Sequence, residues 1–318
     1  MRELPAILSS LRLPVIAAPL FIISWPKLVI AQCQAGIVGS MPALNARPIA
    51  QLDEWLAEIT ETLAAYDRAH PERPAAPFAI NHIVHKTNAR LDQDVALCEK
   101  YKVPLIITSL GARQDLNAEI HRYGGLVLHD VINNTHAHKA IDKGADGLIA
   151  VAAGAGGHAG TRSPFALIQE IRAWFDGPLA LSGAIANGRA ILAARAMGAD
   201  FAYIGSAFIA TDEARAVDAY KQMIVDCSSD DIVYSSLFTG VHGNYLKPSI
   251  RNAGLDPDAL ASSDPSQMDM SGDNTKAWRD IWGCGQGIGA IDTVRSTQAL
   301  VERLDGEYRQ AQQQLLVA

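Results

Sequence analysis

Residues 148–164, LIAVAAGAGGHAGTRSP, hold the side chain best suited to proton chemistry: His158, set among Gly154, Gly156, Gly157 and Gly160. A neutral imidazole titrates near 6.5, so it can accept or deliver a proton close to physiological pH. Glycine at this density makes a poor helix or strand. It suits a loop that needs positive φ or a backbone left bare for a ligand. The apolar run Leu148-Ile149-Ala150-Val151 places that loop at a strand end, and the plain alternative is a flexible turn carrying a surface histidine.

Two further stretches have the make-up of an anion site. Ser182-Gly183-Ala184 ends one apolar run and Gly205-Ser206 ends the next, and such adjacent loops commonly hold a phosphate through backbone N–H groups. Asn81 closes the run Phe78-Ala79-Ile80-Asn81, where an amide able to donate and accept suits a heterocycle. His82, His85 and His129 fall near the same rim and are assigned no catalytic part. His136 and His138 are two apart on a helical segment, so they face apart and make no metal site. Trp278, Trp282 and Tyr245 are expected to pack a covering segment.

The elements that must position these residues follow a simple rhythm. Short apolar runs at 13–18, 36–40, 78–83, 103–109, 125–130, 147–151, 178–182 and 201–205 lack polar alternation, as strands buried on both faces do. Helical spacing fills most gaps between them, at 48–70, 89–101, 113–123, 134–143, 164–175 and 188–197. In the longest, Leu52, Leu56, Ile59 and Leu63 form one stripe. Eight strand–helix repeats within residues 1–215 match a (β/α)8 TIM barrel. A doubly wound sheet competes, but no G-x-G-x-x-G follows the first run. Residues 216–290 read as a smaller irregular cap domain, with a helix at 216–225, an extended piece at 232–237 and no regular periodicity across 240–270. Residues 291–318 close the chain with an amphipathic helix that packs back on the barrel.

The 318-residue chain is 49% hydrophobic, enough for a large core. A net charge of −7 and a pI near 5.7 argue against nucleic acid or an anionic membrane and for a small-molecule ligand. Cys33, Cys98, Cys227 and Cys284 are scattered, so no disulfide framework or metal site is expected and a reducing, cytoplasmic setting is. The apolar 13–31 stretch is broken by Pro14, Pro19, Pro26 and Lys27 and reads as strand then helix, not as a membrane span or signal segment.

Taken together, Ala155-Gly156-Gly157-His158-Ala159-Gly160, then Ser182-Gly183-Ala184, then Gly205-Ser206, with the tail Trp282-Gly283-Cys284-Gly285-Gln286-Gly287, resemble the nitronate monooxygenase (2-nitropropane dioxygenase) family. The related FMN-type enoyl-acyl-carrier-protein reductases share the A-G-G-H-x-G core. The resemblance implies an FMN-binding barrel oxidising nitronates or nitroalkanes with O2. It puts His158 in the catalytic position and Asn81, Gly156 and Gly157 against the flavin, with Ser182, Gly183, Ala184, Gly205 and Ser206 on its phosphate side. Asp130 and Val151 depart from the family, some members having a basic and a polar residue there. An NAD(P)H-dependent FMN reductase of an enoyl thioester or quinone is the runner-up, and a non-redox phosphate-binding barrel the third reading. Whether copies assemble into a homo-oligomer is left open.

Overall fold

The structure, a computed structural model, describes residues 4–260 and 280–317. Eight parallel strands form its centre: β1 (Val15–Ala17), β2 (Gly39–Pro42), β3 (Phe78–Ile83), β4 (Leu105–Ser109), β5 (Leu126–Val131), β6 (Gly147–Val151), β8 (Leu179–Ser182) and β9 (Phe201–Ile204). They lie in the order β1-β9-β8-β6-β5-β4-β3-β2, and a parallel bridge between Ile16 and Val38 closes the ring. Ala17 N–H donates to Val38 O across that seam at 2.8 Å. The fold is therefore a (β/α)8 barrel.

Successive side chains on a strand point to opposite faces, so each buried strand feeds two cores. Ile16, Val38, Ala79, Ile107, Ile149 and Phe201 fill the barrel interior. Ile80, Ile106, Val127, Leu148 and Leu179 instead pack outward against the helices. Helix Ile49–Ala69 buries Leu52, Leu56, Ile59 and Leu63, the stripe its spacing predicts. Asn133 and Asn187 cap the helices after β5 and β8, their side chains accepting from His136 N–H and Ala190 N–H. The amino-terminal floor is stopped by helix Ala6–Ser9, whose Leu8 is buried in the interior cluster with Leu4, Ile7 and Leu11 against it. The last helix, Thr297–Val317, buries Leu300, Val301 and Leu304. It comes so close to helix Gly188–Met197 that a Cβ at Gly188 would lie 2.1 Å from Tyr308 N.

Three features differ from the sequence expectation. The second strand starts at Gly39 and not near Gly36, because Gly36 takes φ +92° in a turn beneath Arg12. The glycine-rich loop contains a short strand, β7 (Gly157–His158), paired antiparallel with β11 (Gly243–Leu246), which in turn pairs with β10 (Ile232–Ser235). The stretch from Gly240, expected to lack regular structure, thus supplies β11 and helix Lys247–Asn252. Tyr245 is buried edge-on to Phe238, and Trp282 stacks on Tyr220 with ring centroids 4.8 Å apart. Trp278 lies outside the described residues.

Candidate functional site

A cavity of about 640 Å³ opens at the carboxyl ends of the barrel strands. That volume is in the range of small-molecule sites, and that end of a parallel barrel is where they are found. His158, Asn81, Gly156, Gly157, Ser182, Gly183, Ala184, Gly205 and Ser206, widely separated in sequence, all line it.

His158 is held by the three-stranded sheet and not by a free loop. Its backbone pairs with Gly243, Ala159 N–H donates to His242 O, and Asn244 Nδ2 donates to Ala155 O at 2.6 Å. Nε2 of His158 lies 3.0 Å from Thr239 Oγ1, and Thr239 donates its single hydroxyl proton to Val241 O at 2.9 Å. A hydroxyl has one proton to give, so the imidazole is the donor in that contact and Nδ1 is its basic nitrogen. Burial lowers the His158 pKa from 6.5 to about 4, so the ring is neutral at neutral pH.

Glycine is required around it for steric reasons. Gly154 and Gly157 take φ +84° and +67°. A Cβ on Gly156 would sit 2.8 Å from Gly285 N, while one on Gly157 would meet nothing within 4 Å. The tail packs here as well, with Gln286 N–H donating to Gly154 O and Gly285 N–H to Ser206 Oγ. On the proposed phosphate side Gly183 has φ +149° and Ala184 φ +54°, and Ala184 N–H is already donated to Gly154 O at 3.2 Å.

Asn81 is buried, and its Nδ2 donates to both Ile107 O (3.1 Å) and Ser109 Oγ (2.8 Å). The expectation that its amide both donates to and accepts from a ligand therefore reduces to acceptance at Oδ1. Ser109 donates on to Asp130 Oδ2 at 2.6 Å, and Asp130 Oδ1 is buried without a partner among the described residues. Burial pushes the Asp130 pKa from 3.8 up to about 6, against the Ser109 hydrogen bond, which lowers it. Sequence reasoning missed Ser109, Tyr203 and Thr239 as cavity residues. The first ends a barrel strand, a position that carries a signal; Thr239 is reached only through the fold of the covering segment.

The other histidines take different places. His82 is buried against Cys98 Sγ (3.4 Å) and is absent from the cavity wall. His129 bonds Thr108 Oγ1 at 2.6 Å. His136 reaches the cavity rim while His138 stacks on Trp174, so the two do face apart. Among the described residues no three His, Cys, Asp or Glu side chains gather as a metal site, and no helix is long and apolar enough to cross a membrane.

A glycine-walled cavity, an open face at Gly157 and a buried carboxylate oxygen without a partner among the described residues make this a parallel barrel with a small-molecule site at its mouth. The model of the family "nitronate monooxygenase" matches residues 4–304, and the chain belongs to that flavin-dependent oxidoreductase family. It is 26% identical over 360 aligned positions to a nitronate monooxygenase of Paraburkholderia phytofirmans, covering 95% of this chain and 94% of the relative. It is 25% identical to a hydroxy-methyl-oxo-octahydroindene-carboxyl-CoA dehydrogenase of Rhodococcus jostii, covering 76% of this chain and 64% of that one. Alignment to a Mycobacterium tuberculosis chain described as a monooxygenase spans 59% of that protein's length, at 29% identity and over 65% of this chain. Among solved structures, a nitroalkane oxidase of Streptomyces ansochromogenes superposes with TM-score 0.81 at 23% identity, over 98% of this chain and all (100%) of the other. FabK of Thermotoga maritima superposes with TM-score 0.79 at 23% identity, over 97% and 96%. These two likenesses show the shared barrel.

Proposed function

We propose that this chain binds FMN in the barrel mouth and oxidises nitronates with O2 as electron acceptor, with His158 as the proton-handling residue of the substrate side. In this reading residues 1–215 are the flavin-binding barrel, 216–290 cover the substrate and 291–318 brace the barrel. The observation that carries it is the fixed histidine: His158 sits on the cavity wall with one nitrogen bound to Thr239, in a chain that matches the family model almost end to end.

When bound, FMN supplies a two-electron acceptor that O2 can reoxidise. The chain's own residues do the rest. Asn81 Oδ1 is left to accept from the cofactor, and the glycine wall lets it approach the backbone. The Gly183–Ala184 and Gly205–Ser206 loops border the place for its phosphate. His158 orients the substrate and holds or moves a proton at Nδ1. A conjugate acid with a pKa of about 4 makes a weak base, which favours a substrate that arrives as the nitronate anion over one that must first lose a carbon-bound proton. An anion beside the ring also raises its pKa and turns it into a charge-matched partner.

The test is anaerobic. Purified chain loaded with FMN is mixed with propyl-2-nitronate in one cuvette and NADPH in another, and bleaching near 450 nm is followed. Bleaching by nitronate supports the proposal. Bleaching by NADPH alone makes the chain a nicotinamide-dependent reductase, and a colourless protein that takes up no FMN makes it a non-redox phosphate-binding barrel.

A further inference from the structure

The polar top layer of the barrel interior is one directed relay that ends on a carboxyl group. Asn81 donates to Ser109, Ser109 donates to Asp130 Oδ2, and all three line the cavity. Ser109 is thereby oriented twice over: its oxygen accepts from an amide and its proton is spent on the carboxyl. Asp130 Oδ1 is left buried and without a hydrogen-bond partner among the described residues. A buried anionic oxygen without a donor is costly, and a proton on that oxygen lowers the cost by removing the charge.

The groups around Asp130 do not supply that proton near neutral pH. Tyr203 on β9, which lines the same cavity and feels the Asp130 charge, stays protonated, its pKa raised by burial. His129, next along β5, turns to Thr108 and is held neutral to about pH 4, as is His158 on β7. His136 and Lys139, on the helix after β5, and Arg47 line the cavity but are exposed. Asp130 is the only carboxylate on the cavity wall among the described residues.

We propose that Asp130 takes up one solvent proton when the flavin bound in this cavity is reduced, coupling proton gain to electron gain. The inference rests on the flavin reading above. Two electrons pass from the reductant to the flavin, an O–H bond forms at Asp130 Oδ1 with a proton from solvent, and reoxidation by O2 returns that proton. The physical cause is charge: electron density added inside a poorly solvated cavity opposes an ionised carboxylate there and favours its acid. Below about pH 6 Asp130 is already the acid and no extra proton is drawn; from there up to the higher pH at which the carboxyl ionises beside the reduced flavin, one is.

The test is the midpoint potential of bound FMN from pH 5 to 8, measured with a dithionite and redox-dye titration. Asp130→Asn keeps an oxygen for Ser109 and is neutral at every pH. Above about pH 6 the wild-type potential is expected to fall more steeply than that of the variant, by a further tenfold in equilibrium constant per pH unit, about 30 mV for a two-electron couple. Below that pH the two lines run parallel. Ser109→Ala removes the hydrogen bond that lowers the Asp130 pKa, so the break in slope moves to higher pH. Equal slopes for wild type and Asp130→Asn throughout overturn the proposal while leaving flavin binding intact. Failure to take up FMN overturns the flavin reading and this one with it. Reduction by NADPH and not by nitronate overturns the nitronate reading alone, because the potential is measured without either.

Discussion

His82 makes the stability of this protein depend on pH in a way that is separable from its chemistry, because it lies off the cavity wall. It is buried beside Cys98, its Nδ1 has no partner among the described residues, and burial lowers its pKa from 6.5 to about 4. The unfolded chain therefore binds this proton first as pH falls. The contribution of His82 is fully present above 6.5 and is lost as pH drops toward 4. With those values the loss is about 1–2 kcal/mol between pH 7 and 5.2 and about 3 kcal/mol by pH 4. His129 and His158 share the same direction and size, so the three together remove about 5 kcal/mol between pH 7 and 5.2. Asp130 works the other way: its folded pKa is raised to about 6, so acidification returns about 1 kcal/mol over that interval. A net loss of about 4 kcal/mol is a large share of a typical folding free energy. Urea unfolding followed by circular dichroism from pH 7.5 to 4.5, on wild type and His82→Gln, reads this directly. The variant is expected to shed one proton's worth of slope, about 1.4 kcal/mol per pH unit near pH 5. Parallel profiles for the two proteins would show that His82 is not held neutral in the folded state and would refute the reasoning.

Three further outcomes follow from the site. His158→Ala should lower turnover about 10²- to 10⁴-fold with FMN still bound, read by steady-state kinetics alongside the 450 nm absorbance. Thr239→Val removes the acceptor for Nε2–H of His158 and frees the ring to change tautomer. Turnover should fall about tenfold or more while thermal unfolding shifts only slightly, and Thr239→Ser should restore most of it. Gly156→Ala drives a Cβ to 2.8 Å from Gly285 N, a backbone atom that cannot rotate away. It should cost about 1–3 kcal/mol of stability and weaken FMN binding, measured by calorimetry and flavin fluorescence.

The barrel was readable because its signal is local. Runs such as Leu148–Val151 or Leu179–Leu181 are apolar along their whole length, as a strand covered on both sides is, and the second is followed by a helix that Asn187 caps. Strand ends were less sharp where a turn decided them, as at Gly36. The nine singled-out site residues share one cavity because strand ends in a parallel barrel converge, whatever their separation in sequence. The covering segment was opaque for the opposite reason. β11 joins β10 to Gly157–His158 some 85 residues earlier in the chain, and a two-residue strand of glycine and histidine has no propensity to announce that pairing. The directions of the hydrogen bonds from Asn81 to Asp130 were equally hidden, since three polar residues on three strands become a relay only when register aligns them.

Leu8 and its neighbours fill the amino-terminal end of the barrel interior, so among the described residues the cavity faces the carboxyl ends of the strands. On the proposed function, donor and acceptor share that mouth, and the donor leaves it before a bulky acceptor enters. A second organic reactant would then alternate with the first, giving parallel lines in double-reciprocal plots, whereas a molecule as small as dioxygen need not wait its turn.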